Sequence, residues 1–306
     1  MELQNTLGRI IDFEGREPYG GNKVFLRFHP AEPDTGILFV TAKGNIEAKL
    51  GNASEYKSAI LLKDNGSGVL HVEHLLATLY AYGIDNAMIE VNRMPSRSFS
   101  FMAKLGLATE LEVIPDFENK TYGLCQALDK NMIPQKVPRR LLRLEQKIGD
   151  MYKDRLLFEP ENKEGLTIHA YTDYPVLGAQ ELSIHINSES YNSEISRSRP
   201  YAKHCLPLPD VVLDALASIF NPSFGIGHGF DPENGIMFPV TAKKPYLAKA
   251  IYSTGDEPVR HTIMDRLGAI ALLPGRLDHV KMSARFSGHA NDIKMLKRVL
   301  PYLRVE

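Results

Sequence analysis

The 306-residue chain reads as an α+β protein of two similar domains, each with layered sheet-and-helix packing. Two observations predict this. Runs with strand character lead into helical runs in the first half, and the same order returns in the second. Between them, Asp129-Lys-Asn-Met-Ile-Pro-Gln-Lys-Val-Pro-Arg139 is polar and holds two prolines. The division is therefore an N-terminal domain over 1–128, a linker over 129–139 and a C-terminal domain over 140–306.

Residues 5–48 read as strands and turns. Lys23 to Phe28 alternates with period two, Pro33-Asp-Thr-Gly36 is a turn, and Ile37 to Val40 is a second strand. A short strand is expected at Ser58 to Leu62, followed by the turn Asn65-Gly-Ser-Gly68. Leu75, Leu76, Leu79 and Tyr82 recur at helical spacing and predict a buried helix over 72–82, ended by Gly83. Ala87 to Val91 is the next strand, and a second helix is expected near 99–110. In the second half, strands are expected at about 141–147, 154–159, 165–172 and 181–187, then a helix near 189–196. An irregular Pro-, Gly- and His-rich stretch over 197–230 surrounds a helix at 209–219. A strand at 236–240, a helix at 257–271, a strand at 280–286 and a helix at 290–300 complete the chain.

Composition narrows the function classes. Hydrophobic residues make up 43% of the chain, enough for a sizeable core. The formal net charge is -1, so no global basic field exists to attract nucleic acid. Cys125 and Cys205 stand far apart, which argues against a thiolate metal site or a disulfide framework and fits a reducing compartment. No apolar run approaches the ~18 residues of a spanning helix. The start, Met-Glu-Leu-Gln-Asn, lacks the basic and apolar parts of a signal peptide. A cytoplasmic, monomeric protein without a membrane span is the expectation.

The chemistry concentrates in three motifs. Glu73 and His74 open the 72–82 helix. They fit either a metal ligand with an adjacent base or a first-turn Glu beside a half-buried His. Asp256-Glu-Pro-Val-Arg-His261-Thr-Ile-Met-Asp265 starts a helix, with Asp256 at the cap and Pro258 in the first turn. His261 and Asp265, four apart, lie on one face and either share a metal or form a surface pair. Ser287-Gly-His289 follows a strand, where a glycine lets the backbone approach a ligand. Together His74, His261 and Asp265 make a two-His, one-carboxylate set with one position left for water, the arrangement of a catalytic zinc. Glu73 then suits a base, and His289 a general acid or oxyanion donor.

With these motifs in this order, the chain resembles the UDP-3-O-acyl-N-acetylglucosamine deacetylase family over nearly its whole length. The resemblance includes Ala31-Glu-Pro-Asp-Thr-Gly-Ile37, Val72-Glu-His-Leu-Leu76, Gly83-Ile-Asp-Asn-Ala87 and Val137-Pro-Arg-Arg140. It continues through Glu233-Asn234, Glu257 to Asp265 and Ser287-Gly-His-Ala-Asn291. It implies two domains with the active site at their interface, and zinc on His74, His261 and Asp265. It also implies Glu73 as general base, His289 as the protonated partner and Ser198 of Ser196-Arg-Ser-Arg199 as the hydroxyl that helps hold the oxyanion. The implied reaction is release of acetate from the acetamide of a UDP-linked acylated amino sugar, the committed step of lipid A synthesis.

The departures cluster around the substrate. Thr262 and Phe286 stand where the family has lysines associated with the nucleotide phosphates. Ala269 stands where it has an Asp that supports the general-acid His, leaving Asp292 and Asp278 as possible replacements. Arg199 replaces a Phe near the acyl chain, Tyr19 a turn His, and His71 a Thr. In Pro95-Ser-Arg-Ser-Phe-Ser100 the family's acid is missing. Arg197 and Arg199 are the expected substitutes for the lost lysines, since guanidinium binds phosphate well. Two alternatives follow: a zinc deacetylase acting on another N-acetylated sugar or amide without UDP, and a zinc-bearing sugar- or lipid-binding protein without turnover. A second metal site on His71, His204 and His228 carries little weight.

Overall fold

The computed structural model describes residues 2–18, 23–94, 111–115, 121–174, 178–204, 236–239 and 255–306. The expected helices at 99–110 and 209–219 lie outside them. So do Tyr19, Pro95 to Ser100, Cys205, His228 and Glu233-Asn234.

The first half contains β1 (Leu3–Leu7), β2 (Ile11–Arg16), β3 (Lys23–Pro30), β4 (Ile37–Thr41), β5 (Gly44–Glu47), β6 (Ala53–Tyr56), β7 (Ala59–Asp64) and β8 (Ser67–Leu70). Helix α1 (Glu73–Ala81), β9 (Ala87–Met94), β10 (Glu112–Val113), α2 (Thr121–Asp129) and β11 (Met132–Pro138) follow. The second half begins with β12 (Leu141–Leu144), β13 (Ile148–Asp150), β14 (Leu156–Pro160), β15 (Leu166–Tyr174) and β16 (Gly178–His185). A helical turn at Ser188–Ser190 runs into a π turn, Tyr191–Ile195. Then come β17 (Tyr201–His204), β18 (Ile236–Pro239), α3 (Glu257–Ile270), β19 (Arg276–Leu277), β20 (Val280–Arg285), α4 (His289–Val299) and β21 (Leu303–Val305).

Two five-stranded sheets share one topology. The first runs β2-β3-β9-β4-β5 and the second β13-β14-β20-β15-β16. In each, the central strand pairs antiparallel with one neighbour and parallel with the other: β9 with β3 and β4, β20 with β14 and β15. In each, a helix precedes that central strand, α1 directly before β9 and α3 before β20 with only the two-residue β19 between. The α+β class and the repeated order expected from sequence are thus both visible in the sheets. The polar stretch 129–139 is more ordered than its composition suggests. Met132–Pro138 forms β11 and pairs antiparallel with β1. The proline that ends β11, Pro138, faces Leu3 at the end of that ladder, where a missing donor costs little.

Helix α1 is buried at every position, as a helix surrounded by protein must be. Its end is built as the sequence suggests. Gly83 has φ +72, its N–H donates to Tyr80 O at 2.9 Å, and Ile84 N–H donates to Leu79 O at 2.9 Å. That pair of bonds is the Schellman closure, and it turns the chain directly into β9. Helix α3 lies against α1. Gly268 makes the approach possible: a Cβ there would sit 2.1 Å from Glu73 O. A glycine inside a helix costs about 1 kcal/mol relative to alanine, so it needs a packing reason of this kind. One contiguous apolar core reaches from Leu7 in β1 to Val299 in α4 and includes α1 and α3. No helix among the described residues is long and apolar enough to cross a membrane.

Candidate active site

Each motif is held at an element start. Glu73 and His74 form the first turn of α1, His261 and Asp265 lie one turn apart on α3, and His289 opens α4 behind the cap residue Gly288. Asp256 does occupy the cap of α3, but its carboxylate accepts from Arg260 Nε and Nη2 at 2.7 and 2.9 Å instead of from a backbone amide.

The close contact of α1 with α3 brings the three motifs together. Asp265 Oδ1 lies 3.2 Å from His74 Nε2, 3.4 Å from His261 Nε2 and 4.0 Å from His289 Nε2. The rings of His74 and His261 meet edge to face with centroids 4.7 Å apart. The ligand atoms of His74, His261 and Asp265 all lie within 4.8 Å of one another. Glu73 belongs to the same cluster without joining that set. Its Oε1 lies 3.7 Å from His289 Nε2, and its Oε2 accepts the Ile60 amide at 2.9 Å. That amide fixes one carboxylate oxygen and leaves the other facing His289.

Ser198 serves the site through an atom the sequence did not suggest. Its backbone carbonyl lies 2.9 Å from His261 Nδ1, so the imidazole N–H donates there and Nε2 is left with its lone pair towards Asp265. The Ser198 hydroxyl is buried and donates to Ile195 O at 2.7 Å. Arg199 does not face the site as a substitute cation. Its side chain is 2% exposed, and Glu257 accepts from its Nε, its Nη2 and its backbone N–H at 2.7, 2.9 and 2.9 Å. Arg197 is exposed. Thr262 is buried, with its hydroxyl turned back onto Pro258 O.

Two further residues belong to the neighbourhood. His71 precedes α1 with φ +67, a costly conformation for a residue with a Cβ, and its ring meets that of His74 at 4.9 Å. Its Nε2 lies 3.9 Å from Glu73 Oε1, so His71, Glu73 and His74 form a second ligand-capable group. The His71 of the family comparison thus lies at the centre, while the His204 side chain falls outside the described residues. Arg266 is buried and pairs with Asp292 at 2.7 Å, donates to Ser287 O at 2.9 Å and stands 3.7 Å from Asp265. It ties α3 to the turn that presents His289. A charged residue at an interior helix position was the available sequence signal for Arg266; for His71 it was a histidine in place of the family's Thr, next to Val72-Glu-His74.

The electrostatics follow from burial. Burial opposes charge on Asp265, but His261, His289, His74 and Arg266 outweigh it and hold the carboxyl far below its ordinary value. Desolvation lowers His74 despite its bond to Asp265. Desolvation also takes His289 down to about 3, against the pull of Asp265. No carboxylate among the described residues supports His289 from behind, and its Nδ1 is buried without a hydrogen-bond partner. Asp292 is occupied by Arg266 and by Ser287, whose hydroxyl donates at 2.5 Å; Asp278 is occupied by Arg143 and the Gly165 amide. Burial raises Asp292 to about 6, with Arg266 pulling the other way.

The donor set suits a divalent cation. Two imidazoles and one carboxylate converge at short range, and the nearest guanidinium, Arg266, is already bound to Asp292. Fold and site thus define an α+β protein whose paired helices carry a metal-competent histidine–carboxylate centre. Residues 4–301 match the family model described as "UDP-3-O-acyl N-acetylglycosamine deacetylase", and the chain belongs to that family. Among its relatives is the UDP-3-O-acyl-N-acetylglucosamine deacetylase of Nitratiruptor sp., 26% identical over 99% of this chain and 93% of the relative. Those of Chlamydia trachomatis serovar D and Sulfurimonas denitrificans are each 27% identical. They cover 99% and 88% of this chain, and 96% and 82% of their own lengths.

Proposed function

We propose that the protein is a zinc-dependent hydrolase that removes the acetyl group of UDP-3-O-acyl-N-acetylglucosamine and releases acetate, the committed step of lipid A synthesis. The observation that carries this reading is the convergence of His74, His261 and Asp265 beside Glu73 and His289 in a chain of that family. His74, His261 and Asp265 would hold the zinc, which supplies Lewis acidity that activates water and polarises an acyl oxygen. Glu73 Oε1 takes the proton of the attacking water, while its other oxygen stays on the Ile60 amide. His289 Nε2, 3.7 Å away, is held neutral at rest by burial and is near enough to relay to the leaving amine the proton that Glu73 takes from water. Ser198 can assist the oxyanion only after its hydroxyl leaves Ile195 O.

A second reading keeps the chemistry and drops the nucleotide: a deacetylase for another N-acetylated sugar or amide. The specific observation favouring it is that neither Thr262 nor Phe286 offers a cation and that Arg199 is committed to Glu257. Acetate release decides between them, measured as kcat/KM for the UDP-linked acylated sugar and for the same sugar without UDP. A UDP contribution of a hundredfold or more, about 2.7 kcal/mol, supports the first reading. Equal values support the second, and no acetate from either with zinc bound leaves only a binding protein.

A further inference from the structure

Against α1, one to two turns beyond Glu73 and His74, lies a cavity of about 460 Å³ lined by both halves of the chain. Its inner wall is apolar, from Leu76 and Leu79 of α1 and Leu273 beyond the end of α3. Its mouth is charged. Two of the ion pairs there are closed on themselves. Arg139 donates to both oxygens of Asp85, and Lys49 meets Glu47 at 2.6 Å. Asp34 also lines the cavity and accepts from Gln4 Nε2 at 2.7 Å, and two arginines there form no ion pair with it or with another carboxylate among the described residues. Arg276 stacks on the Tyr80 ring, with its guanidinium carbon 4.0 Å from the centroid, and donates one hydrogen bond to Tyr80 O. Arg140 is exposed and makes one long bond, 3.4 Å, to Pro274 O. Neither forms an ion pair among the described residues. Desolvation pulls Arg276 below its ordinary value, with Tyr80, Asp85 and Glu2 acting the other way.

We infer that this cavity is a second binding site, for a small amphipathic anion whose head meets Arg140 and Arg276 and whose apolar body lies along Leu76, Leu79 and Leu273. The volume falls within the range of pockets that enclose small molecules, roughly 300–1,000 Å³. An apolar wall with a few convergent polar groups is their usual lining. Two guanidinium groups at one rim suit the oxygens of a carboxylate or a phosphate. The ligand would touch residues 76–80 of one half and 273–276 of the other. It would therefore bridge the later turns of α1 and the turn that follows α3.

The test is calorimetric titration of the full-length protein with octanoate and with octyl phosphate, with octanol and inorganic phosphate as controls. At least one amphiphilic anion should bind, and each control should bind about tenfold more weakly or not at all. Octanoate and octyl phosphate together show whether the head is a carboxylate or a phosphate. Arg140→Gln, an exposed change that leaves the fold alone, should weaken binding severalfold, and Arg140→Gln with Arg276→Gln at least tenfold. Retention of full affinity in both variants would mean that the amphiphile sits elsewhere, for example against the acyl-binding face of the substrate site, and would overturn the inference. So would the absence of binding by either anion. Neither result depends on zinc content or acetate release.

Discussion

The two halves use one sheet plan, yet the helices in equivalent positions carry different loads. Helix α1 is apolar beyond its first turn and contributes Glu73 and His74 from that turn alone. Helix α3 is almost as deeply buried but carries Glu257, Arg260, His261, Asp265 and Arg266. Its charges divide by geometry. Glu257 holds Arg199 through three bonds of 2.7–2.9 Å. Asp265 sits among three imidazoles at 3.2–4.0 Å, none of them as close. A buried ion pair closed at short range is a strut. A carboxylate held at longer range from several imidazole rings has coordination capacity left over. Equal burial therefore does not mean equal purpose.

The largest expected effects separate the two helices within the site. Asp265→Ala should abolish stoichiometric zinc binding, measured by metal analysis of the purified protein; unchanged zinc content would remove Asp265 from the ligand set. Glu73→Gln should retain the metal and lose roughly 10²–10⁴-fold in kcat. A loss below tenfold would reduce Glu73 to a helix-start residue. Next in size is the strut. Arg199→Ala should cost about 3–5 kcal/mol in urea denaturation, because it leaves Glu257 buried and unpaired. Replacing both, Arg199→Met with Glu257→Leu, should recover most of that. A single change without a stability loss would erase the distinction between strut and site.

The smallest effect is a pH slope in metal-free protein. The folded-state values of His74 and His289 are depressed, that of His289 to about 3. Below about 6.5 the unfolded chain therefore takes up protons that the folded protein refuses. Stability should fall as pH drops from about 6.5 towards 3. Asp292, raised to about 6, acts in the opposite sense between about 4 and 6. His289→Gln should flatten the slope of the urea midpoint against pH. Identical slopes for variant and wild type would show that His289 titrates as it does in water.

Much of this was legible in the sequence because it rests on local rules. The spacing of Leu75, Leu76 and Leu79 marked α1, and Gly83 marked its end. The i, i+4 spacing of His261 and Asp265 placed both on one face. The glycine before His289 marked a strand-to-helix turn. What escaped depends on contacts between distant segments. Gly268 was an unremarked residue until Glu73 O was found against it. Ser198 was expected to act through its hydroxyl, but its carbonyl is what orients His261. Arg199 was expected to meet phosphate, and no local signal pairs it with Glu257, 58 residues on. The strand within 132–138 hides behind a polar composition because its partner is at the N-terminus.

The long reach between His74 and Asp265, 191 residues apart in sequence, also sets an order of events during synthesis. At roughly 5–20 residues per second, α1 leaves the ribosome about 10–40 s before α3 is available to cover it. For that interval a helix apolar beyond its first turn waits without the element that buries it. The nascent first half is therefore the form of this chain most exposed to aggregation.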